Sequence, residues 1–234
     1  MKKVLYLFSG SRKRNKNKLD GVPGLDYPDT QFYGLNHLHQ FGVTAEYKEW
    51  EDTPGGRVFG ALLGFRLRHL LLYFLTRGYD IVFGSSVLYM MLLKKVFRPK
   101  TKFVLLNIGL GRTLSANVGR SMKGFPIRSL LRELSAVVCL ARFQKEQLEA
   151  SYPVLQGRVF FMPLGVDTNF YTPVYEGRRD YILSAGRDNG RDYKTVLEVA
   201  RRMPDREFEV VCSRRNLEGA GEAPPNVKVF FDLP

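Results

Sequence analysis

Three cations in the second half of the chain stand where they could hold an anion. Residues 181–186, YILSAG, read as a short strand running into a glycine, and residues 192–203 read as a helix. Arg187, Arg191 and Lys194 lie between and just inside these elements. Gly186 keeps the backbone open at the turn. A helix N-terminus presents unsatisfied N–H groups and a partial positive charge. Strand, glycine turn and helix start together have the shape of a phosphate-binding turn. The same cations also fit a solvated helix start, so the residue types alone leave both readings open. The next strand, 207–212, runs into Ser213-Arg214-Arg215, again beyond a strand's carboxyl end, where open α/β sheets take their ligands.

Strands and helices must alternate to place such turns. The pattern predicts strands over 4–8, 43–50, 79–83, 103–107, 136–140, 159–162, 181–186, 207–212 and 227–230. It predicts helices from Asp29 or Thr30 to about residue 40, over 57–77, over 87–96 with Ser86 as cap, over 127–133, from Ala141 onward, and over 192–203. Phe32, Leu35, Leu38 and His39 fall roughly on one face of the first helix, and Gly42 stops it. Strands that alternate with helices throughout indicate a parallel, doubly wound sheet.

Residues 158–173, RVFFMPLGVDTNFYTP, mark the junction. An apolar strand ends at Pro163, which has no N–H to give a ladder. Gly165 allows a sharp turn, and Asp167, Thr168 and Asn169 are turn and cap formers. A fresh strand opens after Pro173. The expected division is therefore 1–173 and 174–234.

Two long glycine-spotted loops interrupt the first part. Residues 9–30 carry the basic run SRKRNKNK, with Arg12, Lys13 and Arg14, and then Gly21 and Gly24. The second loop follows Asn107 and includes Gly109. Loops this long inside a compact domain are usually functional or mobile. The basic run fits contact with an anionic acceptor or membrane, and equally a solvated loop. Residues 57–77 are very apolar, but Arg66 and Arg68 do not gather on one side with the other cations. A core helix with snorkelling arginines and a membrane-docking helix both remain open for it.

Charge is lopsided. Of a net +13, residues 1–133 hold the whole excess, 22 Lys and Arg against 9 Asp and Glu, while residues 134–234 balance at 14 and 14. A field of that sign attracts phosphates, anionic lipid headgroups or nucleic acid. At 44% hydrophobic residues the chain can bury a sizeable core. Cys139 and Cys212 each sit in an apolar strand-like run, so inert buried thiols and a reducing, cytoplasmic setting are expected. The apolar start at residues 4–8 is too short for a signal peptide, and 58–75 is broken by Arg66, Arg68 and His69, so neither is expected to target or cross a membrane. His37 and His39 have no partner spacing that suggests a metal.

The junction Pro163, Gly165, Val166, Asp167, Phe170 and Pro173, followed by Gly186-Arg187, resembles that of retaining glycosyltransferases of family 4. SAVVCLARFQKEQLE resembles their strand-then-helix unit before the junction, with Ala141 where a capping Ser is common. The resemblance implies a GT-B-like α/β fold: an acceptor-side Rossmann-like domain, then a partial nucleotide-sugar-binding one. It implies a nucleoside diphosphate sugar as donor, a glycolipid or polysaccharide intermediate as acceptor, and no metal or other cofactor. Arg187 and Lys194 would grip the donor diphosphate, with Arg191 sharing the task beside Gly186. Gly21, Gly24, Asn107 and Gly109 would belong to loops facing the cleft. Asn107 and Ile108 stand where many members carry a histidine, so no catalytic histidine is transferred. No E-x7-E segment stands at the equivalent place, so the chain reads as a truncated form or as one piece of a split enzyme whose missing part a second chain could supply, and the isolated chain is expected to be weak or inactive in transfer.

Two readings from other classes compete. A non-catalytic piece could dock through its basic part, Arg12, Lys13, Arg14, Arg66 and Arg68, on the inner face of an anionic membrane or on a partner. A nucleic-acid-binding protein would rest on charge alone, since aromatics do not interleave with the basic runs as a stacking platform requires.

Overall fold

Val4 to Phe8 are five consecutive apolar residues, and all five are buried. Alternation sends Leu5 and Leu7 into one core cluster and Val4, Tyr6 and Phe8 into another. A strand buried on both faces belongs inside a covered parallel sheet. The computed structural model describes residues 2–8, 32–49, 72–108, 110, 127–172, 180–188 and 190–231. The chain divides into two compact units, Met1–Thr172 and Pro173–Pro234.

In the first unit the strands are β1 (Lys3–Phe8), β2 (Thr44–Glu49), β3 (Ile81–Gly84), β4 (Lys102–Asn107), β5 (Ala136–Cys139) and β6 (Val159–Phe161). They form one parallel sheet in the order β2-β1-β3-β4-β5-β6. Three α-helices, α1 (Met91–Phe97), α2 (Ile127–Glu133) and α3 (Arg142–Ser151), contribute to the cluster that holds Leu5 and Leu7. A 3₁₀ helix over Leu35–Phe41, with Phe32 ahead of it, covers the other face. The sheet is thus doubly wound, and its order reverses between β1 and β3. Ligand crevices of such sheets open at that point, beyond the carboxyl ends.

Several local expectations are corrected. The helix expected up to residue 40 is a 3₁₀ helix beginning at Leu35. Tyr33 and Gly34 both take positive φ, 49° and 83°, and break any continuous α-helix before it. Leu35 and Leu38 are spaced by three, which aligns them in a 3₁₀ helix, Phe32 joins their cluster from ahead of the break, and His39 is exposed rather than on the buried face. Gly42 ends the helix in the left-handed region, as expected.

β3 runs one residue past its expected end at 83, and Gly84, its last residue, stands opposite Leu7. A Cβ there would lie 2.5 Å from the Leu7 carbonyl oxygen, so β1 and β3 approach closely only because no side chain intervenes. Ser86 makes no side-chain cap. A 3₁₀ turn over Val87–Met90 precedes α1 instead. Of the helix expected over 57–77, only its end is described, as a 3₁₀ helix over Leu72–Thr76 that buries Leu72, Tyr73 and Thr76. Ala141 precedes α3 with no side-chain cap bond, as its missing hydroxyl requires.

Arg158, at the start of the junction, ties the unit's far edge together. Its guanidinium donates to the carbonyls of Arg132 at 3.2 Å, Leu134 at 3.0 Å and Val154 at 2.6 Å. Arg132 and Leu134 flank the end of α2, so these bonds satisfy carbonyls a helix terminus leaves open.

The second unit has strands β7 (Tyr181–Ala185), β8 (Glu207–Cys212) and β9 (Val227–Phe231), all parallel, in the order β7-β8-β9. Helix α4 (Tyr193–Arg202) packs on one face, where Tyr193, Leu197 and Ala200 meet Phe208, Val210, Cys212 and Val227. Asn226 closes α4, its side-chain amide reaching the carbonyls of Ala200, Met203 and Arg206.

Candidate functional site

The second unit sets its cations around one turn. β7 ends at Ala185, and Gly186 still donates its N–H to Val211 O at 2.9 Å, so the turn leaves from the sheet's carboxyl edge. Arg191 folds back over it. A Cβ on Gly186 would lie 2.5 Å from Arg191 Nε and 2.8 Å from its Cζ, so the guanidinium lies against the glycine backbone. The glycine therefore leaves room for a cation as well as for the turn. Arg187, Arg191 and Lys194 are all exposed. Arg191 has Asp188 at 3.9 Å, a half-exposed pair of the kind that contributes little.

Two residues missed at the sequence level shape this turn. Asp192 is the N-cap of α4. It accepts the Thr195 N–H at 3.0 Å and the Thr195 hydroxyl at 2.7 Å. These bonds, the hydroxyl's first, hold the Asp192 carboxyl below its usual range. The expectation of an open helix terminus is thereby modified: a resident carboxylate already satisfies one of its donors. An incoming anion would depend more on the arginine and lysine side chains than on backbone N–H groups. A capping signal was present in the sequence, since Asp stands directly before the helical pattern.

Tyr193 is the other. It is buried, and its hydroxyl donates to Gly186 O at 2.8 Å with Val211 O at 3.3 Å. The first helical residue thus pins the glycine turn to β7 and β8. Burial raises its pKa, which keeps the hydroxyl protonated as a donor. No local sequence signal marks this role, because it depends on where β8 lies.

The turn after β8 is organised in the same way. Ser213 and Asn216 form a reciprocal capping box, and Asn216 Nδ2 donates to Asp188 O at 2.9 Å, joining the two turns. The Arg214 guanidinium stands 4.7 Å from the Phe231 ring centre. Basic groups thus extend along the carboxyl edge from β7 to β9.

In the first unit Asn107 ends β4 with its side chain buried. Its Oδ1 accepts the Leu110 N–H at 3.0 Å, and its Nδ2 points to Cys139 Sγ at 3.5 Å. Asn107 therefore shapes the start of its loop from inside. Burial, the larger influence, pushes the Cys139 thiol up, and both cysteines are buried, as read from the sequence. A crevice of about 260 Å³ lies between residues 33–37 and 162–166, with His37 on one wall and Gly165 on the other. Asp167 turns the chain just beyond it, accepting the N–H groups of Asn169 and Phe170 at 3.1 and 3.2 Å. Gly21, Gly24, Gly109, Arg12, Lys13, Arg14, Arg66 and Arg68 lie outside the described residues. Among the described residues no group of three or more His, Cys, Asp or Glu is placed to hold a metal, and no helix is long and apolar enough to cross a membrane.

No family model matches the sequence, and no curated protein matches it. Solved structures do share its fold. A MnaA–UDP co-structure from S. aureus matches with a TM-score of 0.52 and 11% identity, over 100% of this chain and 69% of that one. A protein assigned as a UDP-N-acetylglucosamine 2-epimerase, from Listeria monocytogenes, matches with a TM-score of 0.50 and 14% identity, over 100% of this chain and 70% of that one. Acinetobacter baumannii MurG matches with a TM-score of 0.44 and 11% identity, over 99% of this chain and 66% of that one. Identities this low concern the fold alone. The chain spans about two-thirds of the MurG chain and somewhat more of the other two. The fold is α/β and GT-B-like, built from two Rossmann-like parallel sheets.

Proposed function

We propose that the chain belongs to a retaining, family 4 type glycosyltransferase that moves a hexose from a nucleoside diphosphate sugar to a glycolipid or polysaccharide intermediate. The observation that carries this is the turn after β7, where Arg191 lies on the Gly186 backbone and Arg187 and Lys194 are exposed in the same short segment. A diphosphate needs clustered cations, and this turn carries three exposed ones. The UDP bound in the S. aureus MnaA co-structure, a protein of the same fold, supports a nucleotide ligand. In transfer the leaving diphosphate gains charge as the glycosidic bond breaks. Arg187, Arg191 and Lys194 would stabilise that charge without a metal, by fixed electrostatics.

The test is calorimetric titration of the chain with UDP, GDP and their hexose conjugates. One nucleotide should bind, and Arg187→Ala should weaken it by roughly ten- to a hundredfold, the worth of a charge-assisted bond. Gly186→Ala should weaken it as well with the fold intact, because the clashing atoms belong to the movable Arg191 side chain. Binding unchanged in both variants would remove the diphosphate from this turn.

A further inference from the structure

Exposed apolar side chains and cations meet at the amino ends of β3 and β4. Helix α1 ends in Lys95-Val96-Phe97 with Arg98 just beyond it, and all four side chains are exposed, Val96 at 72% and Phe97 at 57%. The Phe97 ring stacks on the buried Tyr73 ring at 5.9 Å. Phe74, itself 46% exposed, meets the same Tyr73 ring edge-on at 5.9 Å. One buried tyrosine thus holds two exposed phenylalanines from different elements in a single apolar platform. Cations rim it. The Arg77 guanidinium lies 5.9 Å from the Phe74 ring centre, and Lys95, Arg98, Lys100 and Lys102 are exposed around the end of α1. Lys95 spends one donor on Ser129 Oγ at 2.8 Å, leaving its ammonium two more. Nearby acids are engaged locally: Asp80 accepts the Lys3 backbone N–H at 2.8 Å and Glu46 the Tyr79 hydroxyl at 2.6 Å.

Exposed aliphatic and aromatic groups joined to a basic rim have one natural complement: a surface apolar inside and anionic outside. We infer that this face docks the protein on an anionic lipid surface. Phe74, Val96 and Phe97 enter the headgroup boundary, and Arg77, Lys95, Arg98 and Lys100 pair with lipid phosphates. A nucleic acid fits less well. Val96, the most exposed of the three, has no π face to offer a base, and Tyr73 and Arg77 already occupy faces of the two rings. The inference does not rest on the donor site, which lies in the other unit.

Co-sedimentation of the whole chain tests it, with vesicles of phosphatidylcholine alone and of phosphatidylcholine mixed with phosphatidylglycerol. The chain should pellet only with the anionic vesicles and come off as salt is raised. Lys95→Glu with Lys100→Glu should lower partitioning about tenfold or more, from the usual worth of basic residues near an anionic surface. Val96→Ser with Phe97→Ser should lower it comparably. Arg202→Glu with Arg206→Glu makes the same change in net charge in the second unit and should leave it within about twofold. Circular dichroism checks that each variant is folded, as exposed positions allow. Equal loss in the two charge-reversed variants would reduce the effect to net charge and overturn the site. So would absence of pelleting, or retention of RNA in place of vesicles.

Discussion

β1 and β7 open the two units with similar words, KVLYLF and YILSA, and meet opposite fates. From Val4 to Phe8 no residue of β1 is more than 7% exposed, whereas Ile182 and Leu183 of β7 are 43% and 56% exposed. β1 lies between β2 and β3 with packed elements on both faces. β7 is the edge of a three-stranded sheet whose described core lies on the α4 side alone. Leu183 pairs with Glu209 and Val211 with Phe230 on the side away from that core. Local apolar character therefore does not decide burial; neighbours do. The first unit spreads its stability over two layers. The second concentrates it in one helix–sheet contact, and the candidate phosphate turn rests on that contact through Tyr193.

The largest test of this contrast is Phe208→Ala. Phe208 is 2% exposed at the centre of the second unit's only described core, and removing a buried Phe costs about 3–5 kcal/mol. Hydrogen exchange should lose protection across β7 to β9 while β1 to β5 keep theirs. Loss of protection in both units would mean they are not separately stabilised.

Next comes Gly84→Ala. The new Cβ would meet the Leu7 carbonyl, a backbone atom that cannot step aside, so the β1–β3 pair should lose about 1–3 kcal/mol. Chemical denaturation should show the first unit's midpoint falling and the second's unchanged.

The smallest effect concerns acid. The Asp192 carboxyl is held below its ordinary value of 3.8, so its cap stabilises α4 above that pH and the contribution is lost as pH falls through the depressed value. Asp192→Asn keeps an acceptor but does not titrate. The second unit's melting temperature should then depend less on pH between about 5 and 3 than in the parent chain. Equal pH dependence would show that Asp192 does not carry the effect.

Much of this was legible in the chain. Each run expected as a strand is one, within a residue or two at its ends, because short apolar stretches bounded by glycine, proline and polar residues have few other uses. Gly186, Arg187, Arg191 and Lys194 could be named as a group from their place between a strand and a helix. Helix type was less legible. The end of the 57–77 run and the segment before Gly42 form 3₁₀ turns, since backbone breaks such as Tyr33-Gly34 leave no marked signal in composition. The support of the turn was not legible either. Tyr193 reads as an ordinary helical aromatic until β8 places the Val211 carbonyl beside its hydroxyl.

The sequence by itself determined the alternation of strands and helices, the break near Pro173, and the presence of cations at the turn after β7. These follow from local chemistry: which residues tolerate a ladder, a cap or a positive φ. Tertiary structure alone decided that the first sheet reverses its order between β1 and β3, and that Gly84 must have no side chain. It alone laid Arg191 against Gly186 and set Phe74, Tyr73 and Phe97 side by side at one end of the first unit. Those facts join residues far apart in the chain. Only the packing of whole elements brings such residues within reach of one another.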